Sequence, residues 1–308
     1  VTETFGKSDI SLVIPTYNRD SHLEEFLNSI KPYTTEVEVL VIDDGSTDNT
    51  REVVSNSFAE YIQGGGNGQM EAKRIGVDKS SGKVVGFLED DMRVDDDFIN
   101  PIVTSLNNGE YIIQSKVIET SKNKSSISDG SEPNIAIKYF WNYDFINNLE
   151  QVSKSRYIPF VRESGLFVLK DILENIPLYD NNLLGDGWGE SLSFSFRARD
   201  EGHRIYFHPQ SVIYHLSATD GGSSGRFSKQ KGDINGSGCT KFEYYRHRNS
   251  MYIHTRFFFH LALPTLIYRI LYSIGKSIYY RDIRCVVYPC TGIVAGILKG
   301  TAVKALRN

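Results

Sequence analysis

This chain carries few of the features that mark a special environment. Its three cysteines, Cys239, Cys285 and Cys290, are too few and too irregularly spaced for a thiolate metal site or a disulfide framework, and they read as reduced thiols in a cytoplasmic protein. The N-terminus has no basic stretch running into an apolar one, so no secretion signal is expected. No uninterrupted run of about 20 apolar residues occurs, so no membrane span is expected. The net charge of -4 gives no case for nucleic acid as a partner. The Gly64-Gly65-Gly66-Asn67-Gly68 stretch is not a Walker loop, because no Gly-Lys-Ser/Thr follows it. What remains is an ordinary globular composition, 40% hydrophobic and 23% charged over 308 residues. That is enough for one large α/β domain with an appendage, or for two domains.

The informative feature is where the carboxylates fall. Val37-Glu38-Val39-Leu40-Val41-Ile42 runs into Asp43-Asp44-Gly45-Ser46, and Val84-Val85-Gly86-Phe87-Leu88 runs into Glu89-Asp90-Asp91. A third apolar strand, Ile10 to Ile14, ends in Pro15-Thr16-Tyr17-Asn18-Arg19. Ligands of open α/β sheets bind outside the carboxyl ends of the strands, so three polar strand ends predict one cleft. Adjacent carboxylates repel unless a cation lies between them. Oxygen ligands select a hard divalent ion, Mg²⁺ or Mn²⁺, which commonly also binds a substrate's phosphates.

The first hundred residues alternate strand and helix, which predicts a largely parallel sheet with right-handed crossovers. Ser21-His22-Leu23-Glu24 reads as a capping box opening a helix to Ile30. Helices are expected over 50–57, 69–79 and 96–106, with Asp95-Asp96-Asp97 capping the last. A strand is expected over 111–117, then a polar Ser/Lys-rich loop over 119–132. Later come a helix over 190–200, two strands near 205–207 and 212–214, and a Gly/Ser-rich stretch over 217–238 that reads as a lid. From Lys241 the pattern is helical and aromatic. Between Met251 and Asn308 lie eight basic residues and a single acid, Asp282. Basic and apolar together fit contact with an anionic membrane surface, or a helical subdomain with a solvated basic face. The expected division is a catalytic domain over 1–240 and a helical segment over 241–308.

The ordered set of Leu12 to Arg19, Val41 to Asp48, Asn67-Gly68, Lys73, Gly82 to Asp91, Trp188-Gly189-Glu190, Gly202-His203-Arg204, His215 and Arg248-Asn249-x-x-Tyr252 resembles family 2 glycosyltransferases of the GT-A fold, in their rhamnosyltransferase-like branch. The resemblance implies a Rossmann-like, mostly parallel sheet flanked by helices, with a helical C-terminal appendage. It implies inverting transfer from a nucleoside-diphosphate sugar, a UDP-sugar, to a glycan or lipid-linked acceptor at the cytoplasmic membrane face.

The resemblance also assigns roles. Asp43 and Asp44 would meet the base, with Pro15, Thr16, Tyr17 and Arg19 as the opposite wall; the residues alone also allow a plain Asp-Gly turn there. Lys73, where the family often has Arg, would face base or phosphate. Asp91 would hold the metal, Glu89 would support it, Asp90 would touch ribose, and His215 would be a further metal ligand. The family's Gly-Glu-Asp reads here as Gly189-Glu190-Ser191, so the catalytic base falls to Glu190 or to Asp186, with Trp188 beside the sugar. The missing acid at 191 leaves a second reading open, a non-catalytic scaffold that binds nucleotide sugar or glycan.

Overall fold

The computed structural model describes residues 4–120, 137–139, 145–147, 149–184, 189–218 and 241–305. The chain forms two compact units, one from 1–138, 146–178 and 197–225, the other from 139–145, 179–196 and 226–308.

The first unit opens as β1 (Ile10–Thr16), α1 (Asp20–Ile30), β2 (Glu38–Asp43), α2 (Thr50–Ser55), β3 (Glu60–Gln63), α3 (Gln69–Lys79), β4 (Val84–Phe87), β5 (Met92–Arg93) and α4 (Ile99–Asn107). After β6 (Ile112–Glu119) the chain continues with the paired short strands β7 (Ile137–Tyr139) and β8 (Phe145–Asn147), then β9 (Arg156–Ile158), β10 (Leu166–Leu169), α5 (Lys170–Asn175), α6 (Glu190–Asp200), whose first seven residues belong to the second unit, and β11 (Ile205–His215). Every residue of β1 is buried, as in a strand covered on both faces. Leu23, Phe26, Leu27 and Ile30 recur at helical spacing on α1 and pack with Leu12, Ile14 and Phe98 in one core.

The main sheet runs β3-β2-β1-β4-β10-β6-β11-β5, with β9 beside β11. Strands β3, β2, β1 and β4 are mutually parallel. Strand β10 then runs antiparallel between β4 and β6, and β11 is parallel to β6 but antiparallel to β5 and β9. The chain leaves β1 for β2 and β3, then returns to β4 on the other side of β1. That reversal opens a crevice outside the carboxyl ends of β1, β2 and β4. Thr16, Asp43 and the turn after β4 stand there.

Local expectations change in three places. Helix α1 begins at Asp20, and Ser21 lies inside it, donating its amide and hydroxyl to Asp20 Oδ1, so Ser21 to Glu24 is no capping box. Of the three aspartates before α4, Asp97 caps it, accepting from the amides of Ile99 and Asn100. The two strands expected near 205 and 212 are one strand, β11, with a register shift between His208 and Val212.

The described part of the second unit contains α7 (Lys241–Phe257), α8 (Phe259–Tyr280) and α9 (Arg284–Ala305). Gly292, Gly296 and Gly300 let α9 lie directly on α7. A Cβ on Gly292 or Gly296 would stand 2.3 Å from the Tyr244 carbonyl oxygen or 2.2 Å from that of Arg248. The Arg248-Asn249-x-x-Tyr252 motif on α7 pins the segment over 180–184. Asn249 accepts from the Leu184 amide at 3.0 Å and donates to its carbonyl at 2.8 Å, and Arg248 donates to the Asn182 carbonyl. Asp180 accepts from Tyr252 and Arg256 at 2.7 Å each and from Ser193 at 3.0 Å. Cys285 is buried and disulfide-bonded while Cys290 is a free thiol, so the expectation of three reduced thiols does not hold.

Candidate functional site

Sheet register assembles the site. The chain leaves β4 through Leu88, turns through Glu89, Asp90 and Asp91, and re-enters the sheet as the two-residue β5. There Met92 pairs with His215 at the end of β11. On its other side β11 pairs with β6, and there Glu119 faces His215. His215 is therefore fixed between the acidic turn and Glu119. Its Nε2 lies 3.3 Å from Glu89 Oε2 and 3.3 Å from Asp91 Oδ1, and its Nδ1 lies 2.8 Å from Glu119 Oε2. One donor atom each from Glu89, Asp91 and His215 falls within 4.8 Å of the other two.

The electrostatics follow from that geometry. Burial alone would lower the His215 pKa, but hydrogen bonds to Asp91, Glu119 and Glu89 outweigh it and push it up to about 12. Burial would raise the Glu89 carboxyl, yet the His215 hydrogen bond, the Lys73 charge and the Ser164 hydroxyl at 2.6 Å hold it at about 2. The hydrogen bond to His215 also holds Glu119 well below the usual carboxylate range, helped by Arg162.

These residues fit a divalent ion. Asp91 is buried; its Oδ2 accepts from the Ala218 amide at 2.9 Å and lies 3.2 Å from Arg19, while its Oδ1 faces the His215 Nε2 at 3.3 Å. A carboxylate behind a histidine's Nδ1 orients the ring and makes Nε2 the better ligand. Two carboxylates and an imidazole suit a first-row divalent metal.

Lys73 is fully buried, not a solvated helix lysine. Its ammonium lies 3.6 Å from Glu163 Oε2 and makes no hydrogen bond among the described residues. Asp90 is buried with both oxygens engaged, accepting from Thr16 and from Arg19 at 2.8 Å each. Burial pushes it up to about 6 against the pull of Arg19. Asp43 accepts from the Tyr61 hydroxyl and the Ser46 amide at 2.8 Å each, and Asp44 from the Gly68 amide at 2.8 Å. Pro15 and Thr16 are buried at the end of β1, Tyr17 is half-buried beyond it, and Arg19 is buried.

In the second unit, Glu190 is the buried first residue of α6. Gly189 before it has φ +95°, and a Cβ there would stand 2.6 Å from Ile253 Cδ1. Both conditions call for glycine. Asp186, Trp188 and most of the stretch expected to form a lid lie outside the described residues.

Sequence reasoning missed Glu119, Ser164, Arg162 and Glu163. Glu119 stands at the carboxyl end of an apolar strand, the signal that found the other acids, but the Ser/Lys-rich stretch beginning there masked it. The other three carry no local signal.

The family model "Glycosyl transferase family 2" matches residues 11–176. Glycosyltransferase AglE of Haloferax volcanii is 24% identical over 208 residues, 64% of this chain and 64% of its own length. The Campylobacter jejuni GalNAc(5)-diNAcBac-PP-undecaprenol beta-1,3-glucosyltransferase is 29% identical over 133 residues, 39% of this chain and 42% of its own. The chain thus spans less than two thirds of the curated relatives it matches. In fold it resembles GalNAc-T7 crystallised with UDP, GalNAc and Mn²⁺, with TM-score 0.58, 16% identity, and coverage of 79% of this chain and 50% of that one. It also resembles S. aureus TarS 1-349, with TM-score 0.55, 14% identity, and coverage of 97% and 90%. Both likenesses are to the GT-A fold, with its mixed sheet flanked by helices. The family model covers more than half of the chain and takes in the ends of β1, β2 and β4 together with the whole acidic turn, and on that ground the chain belongs to glycosyl transferase family 2.

Proposed function

We propose that this chain is an inverting, metal-dependent glycosyltransferase of the rhamnosyltransferase-like branch. It moves a sugar from a nucleoside-diphosphate sugar, a UDP-sugar, to a glycan or lipid-linked glycan at the cytoplasmic face of a membrane. The observation that carries this reading is the convergence of Glu89, Asp91 and His215 within 4.8 Å, with the Lys73 ammonium acting on Glu89. A cation site beside a buried ammonium suits a diphosphate. The UDP and Mn²⁺ in the GalNAc-T7 structure and the PP-undecaprenol in the Campylobacter relative's name support the donor and acceptor classes.

Glu89, Asp91 and His215 would hold Mn²⁺ or Mg²⁺, and the imidazole favours Mn²⁺. The ion would supply charge neutralisation for the leaving diphosphate. Lys73 supplies a further positive charge for the phosphates. Asp43 and Asp44 bind the base against the wall of Pro15, Thr16, Tyr17 and Arg19, and Asp90, held by Arg19, positions that wall and the ribose. Glu190 takes the acceptor hydroxyl's proton as that oxygen attacks the anomeric carbon from the face opposite the diphosphate; Asp186 is the second candidate. Residues 1–240 form this machinery, and 241–308 form a basic helical segment that meets the membrane.

Calorimetric titration of UDP with and without Mn²⁺ tests the donor site. Binding in the native chain should depend on metal, and Asp91→Asn should remove that dependence. Equal binding by both proteins would overturn the metal assignment. Glu190→Gln should keep UDP binding and lower sugar transfer by about 10²- to 10⁴-fold. A native chain that binds UDP but turns over no donor would favour the scaffold reading that the serine at 191 raises.

A further inference from the structure

Helix α8 is amphipathic in the reverse sense to a helix of a water-soluble domain. Its polar residues Thr265, Arg269 and Ser273 are 0%, 5% and 1% exposed, and Lys276 points inward, 3.9 Å from Glu243 of α7. Its large apolar residues Phe259, Leu263, Ile267, Leu271, Ile274 and Ile278 recur every three or four positions and are 42% to 73% exposed. Val287, Val294 and Leu298 extend this exposed face onto α9. In water a helix buries its apolar stripe and exposes its charges. In hydrocarbon the preference inverts, and ionisable side chains turn toward protein.

We infer that the outward face of the α8–α9 hairpin is a membrane-embedded surface, seated in one leaflet of a bilayer containing anionic lipid. Charge identifies the occupant. Arg281, Lys299 and Lys304 are exposed on the hairpin, whereas Asp282, the only acid from Met251 to Asn308, is buried and paired with Arg284 at 2.7 Å. Anionic headgroups complement that set. A second copy of this chain would bring like charges together. Tyr272 and Tyr279 are exposed, and such rings suit the headgroup level. Helix α9, 22 residues long, contains an 18-residue stretch of mean hydropathy 1.5, long and apolar enough for a membrane environment. The turn between the helices carries Arg281, Asp282 and Arg284, which resists passage through hydrocarbon, so the hairpin lies along the leaflet rather than crossing it.

This inference deepens the lipid-linked acceptor reading by naming the surface that brings the enzyme to its substrate. Flotation of the full chain with phosphatidylcholine vesicles, and with phosphatidylcholine–phosphatidylglycerol vesicles, tests it. The native chain should float with both, more completely with phosphatidylglycerol. The Leu263→Glu/Leu271→Glu variant should lose vesicle partitioning by about tenfold or more while keeping UDP binding. If that variant loses UDP binding as well, Ile278→Glu, at the most exposed of the six α8 positions, gives the same comparison with less disturbance of packing. Lys299→Glu/Lys304→Glu should remove only the preference for phosphatidylglycerol. A native chain that stays unbound to both vesicle types overturns the inference. So does a dimer that the apolar variants split without any change in flotation. Flotation without UDP binding would leave the surface standing and sink the donor reading alone.

Discussion

In the proposed site, His215 would serve as a ligand with Glu119 standing behind it. Their 2.8 Å contact joins residues 96 positions apart, and it sets the ring so that Nε2 faces Glu89 and Asp91. Partners of this kind are worth about 10- to 100-fold in metal affinity. Glu119→Gln should therefore weaken Mn²⁺ binding by that factor in a calorimetric titration. The proton on Nε2 competes with the ion. The hydrogen bonds that push His215 up to about 12 keep that proton in place across the neutral range. Mn²⁺ binding must displace it, so affinity should rise with pH and each ion should release about one proton. Titrations in buffers of different ionisation enthalpy measure that release, and a pH-independent affinity would remove His215 from the ligand set. At this scale the sequence showed the acidic turn, His215 and Lys73, because each follows a strand or a Gly-rich loop in a recognisable order. It could not show Glu163 or Ser164, whose place beside Lys73 and Glu89 depends on strands distant in the chain.

Among elements, helix α7 shows how a short motif acts. Asn249 behaves as a fragment of backbone, giving the Leu184 amide an acceptor and its carbonyl a donor. Asn249→Ala leaves both peptide groups unsatisfied and should cost about 1–3 kcal/mol, read from a denaturant titration. Asn249→Asp keeps only the acceptor and should fall between the two. The contact of α9 with α7 is tighter. With only 2.2 Å between a Gly296 Cβ and the Arg248 carbonyl, Gly296→Val forces the helices apart at a cost of about 1–3 kcal/mol, seen as a lower melting temperature. Periodicity placed α3 and α6 at their observed bounds. It split β11 in two because Pro209 and Gln210 interrupt the apolar pattern where the strand shifts register. It misread Ser21 because a capping serine and a first-turn serine look alike until backbone angles are known.

For the molecule as a whole, alternation of strand and helix was enough to give the α/β class and the parallel half of the sheet. It could not give the other half. Strand β10 is as apolar as its neighbours, and composition carries no record of direction, so its antiparallel insertion between β4 and β6 emerges only from long-range pairing. The inverted α8 was equally hidden. The sequence showed that the last segment is basic and aromatic, but not that Arg269 of α8 turns inward while Leu263 and Leu271 face outward.

The reliance of the ligand set on β11 has a consequence for how the chain matures. The acidic turn is complete once β4 has been made, yet its imidazole arrives from a strand more than a hundred residues later, and Ala218, which binds Asp91, is 127 positions away. Contacts of such separation form late. A nascent chain ending at α5 would hold the carboxylates without the third proposed ligand, so an ion bound at the proposed site would not template the early sheet. In refolding, Mn²⁺ uptake should lag the return of helical signal, and adding the ion at the start should leave the rate of that return unchanged.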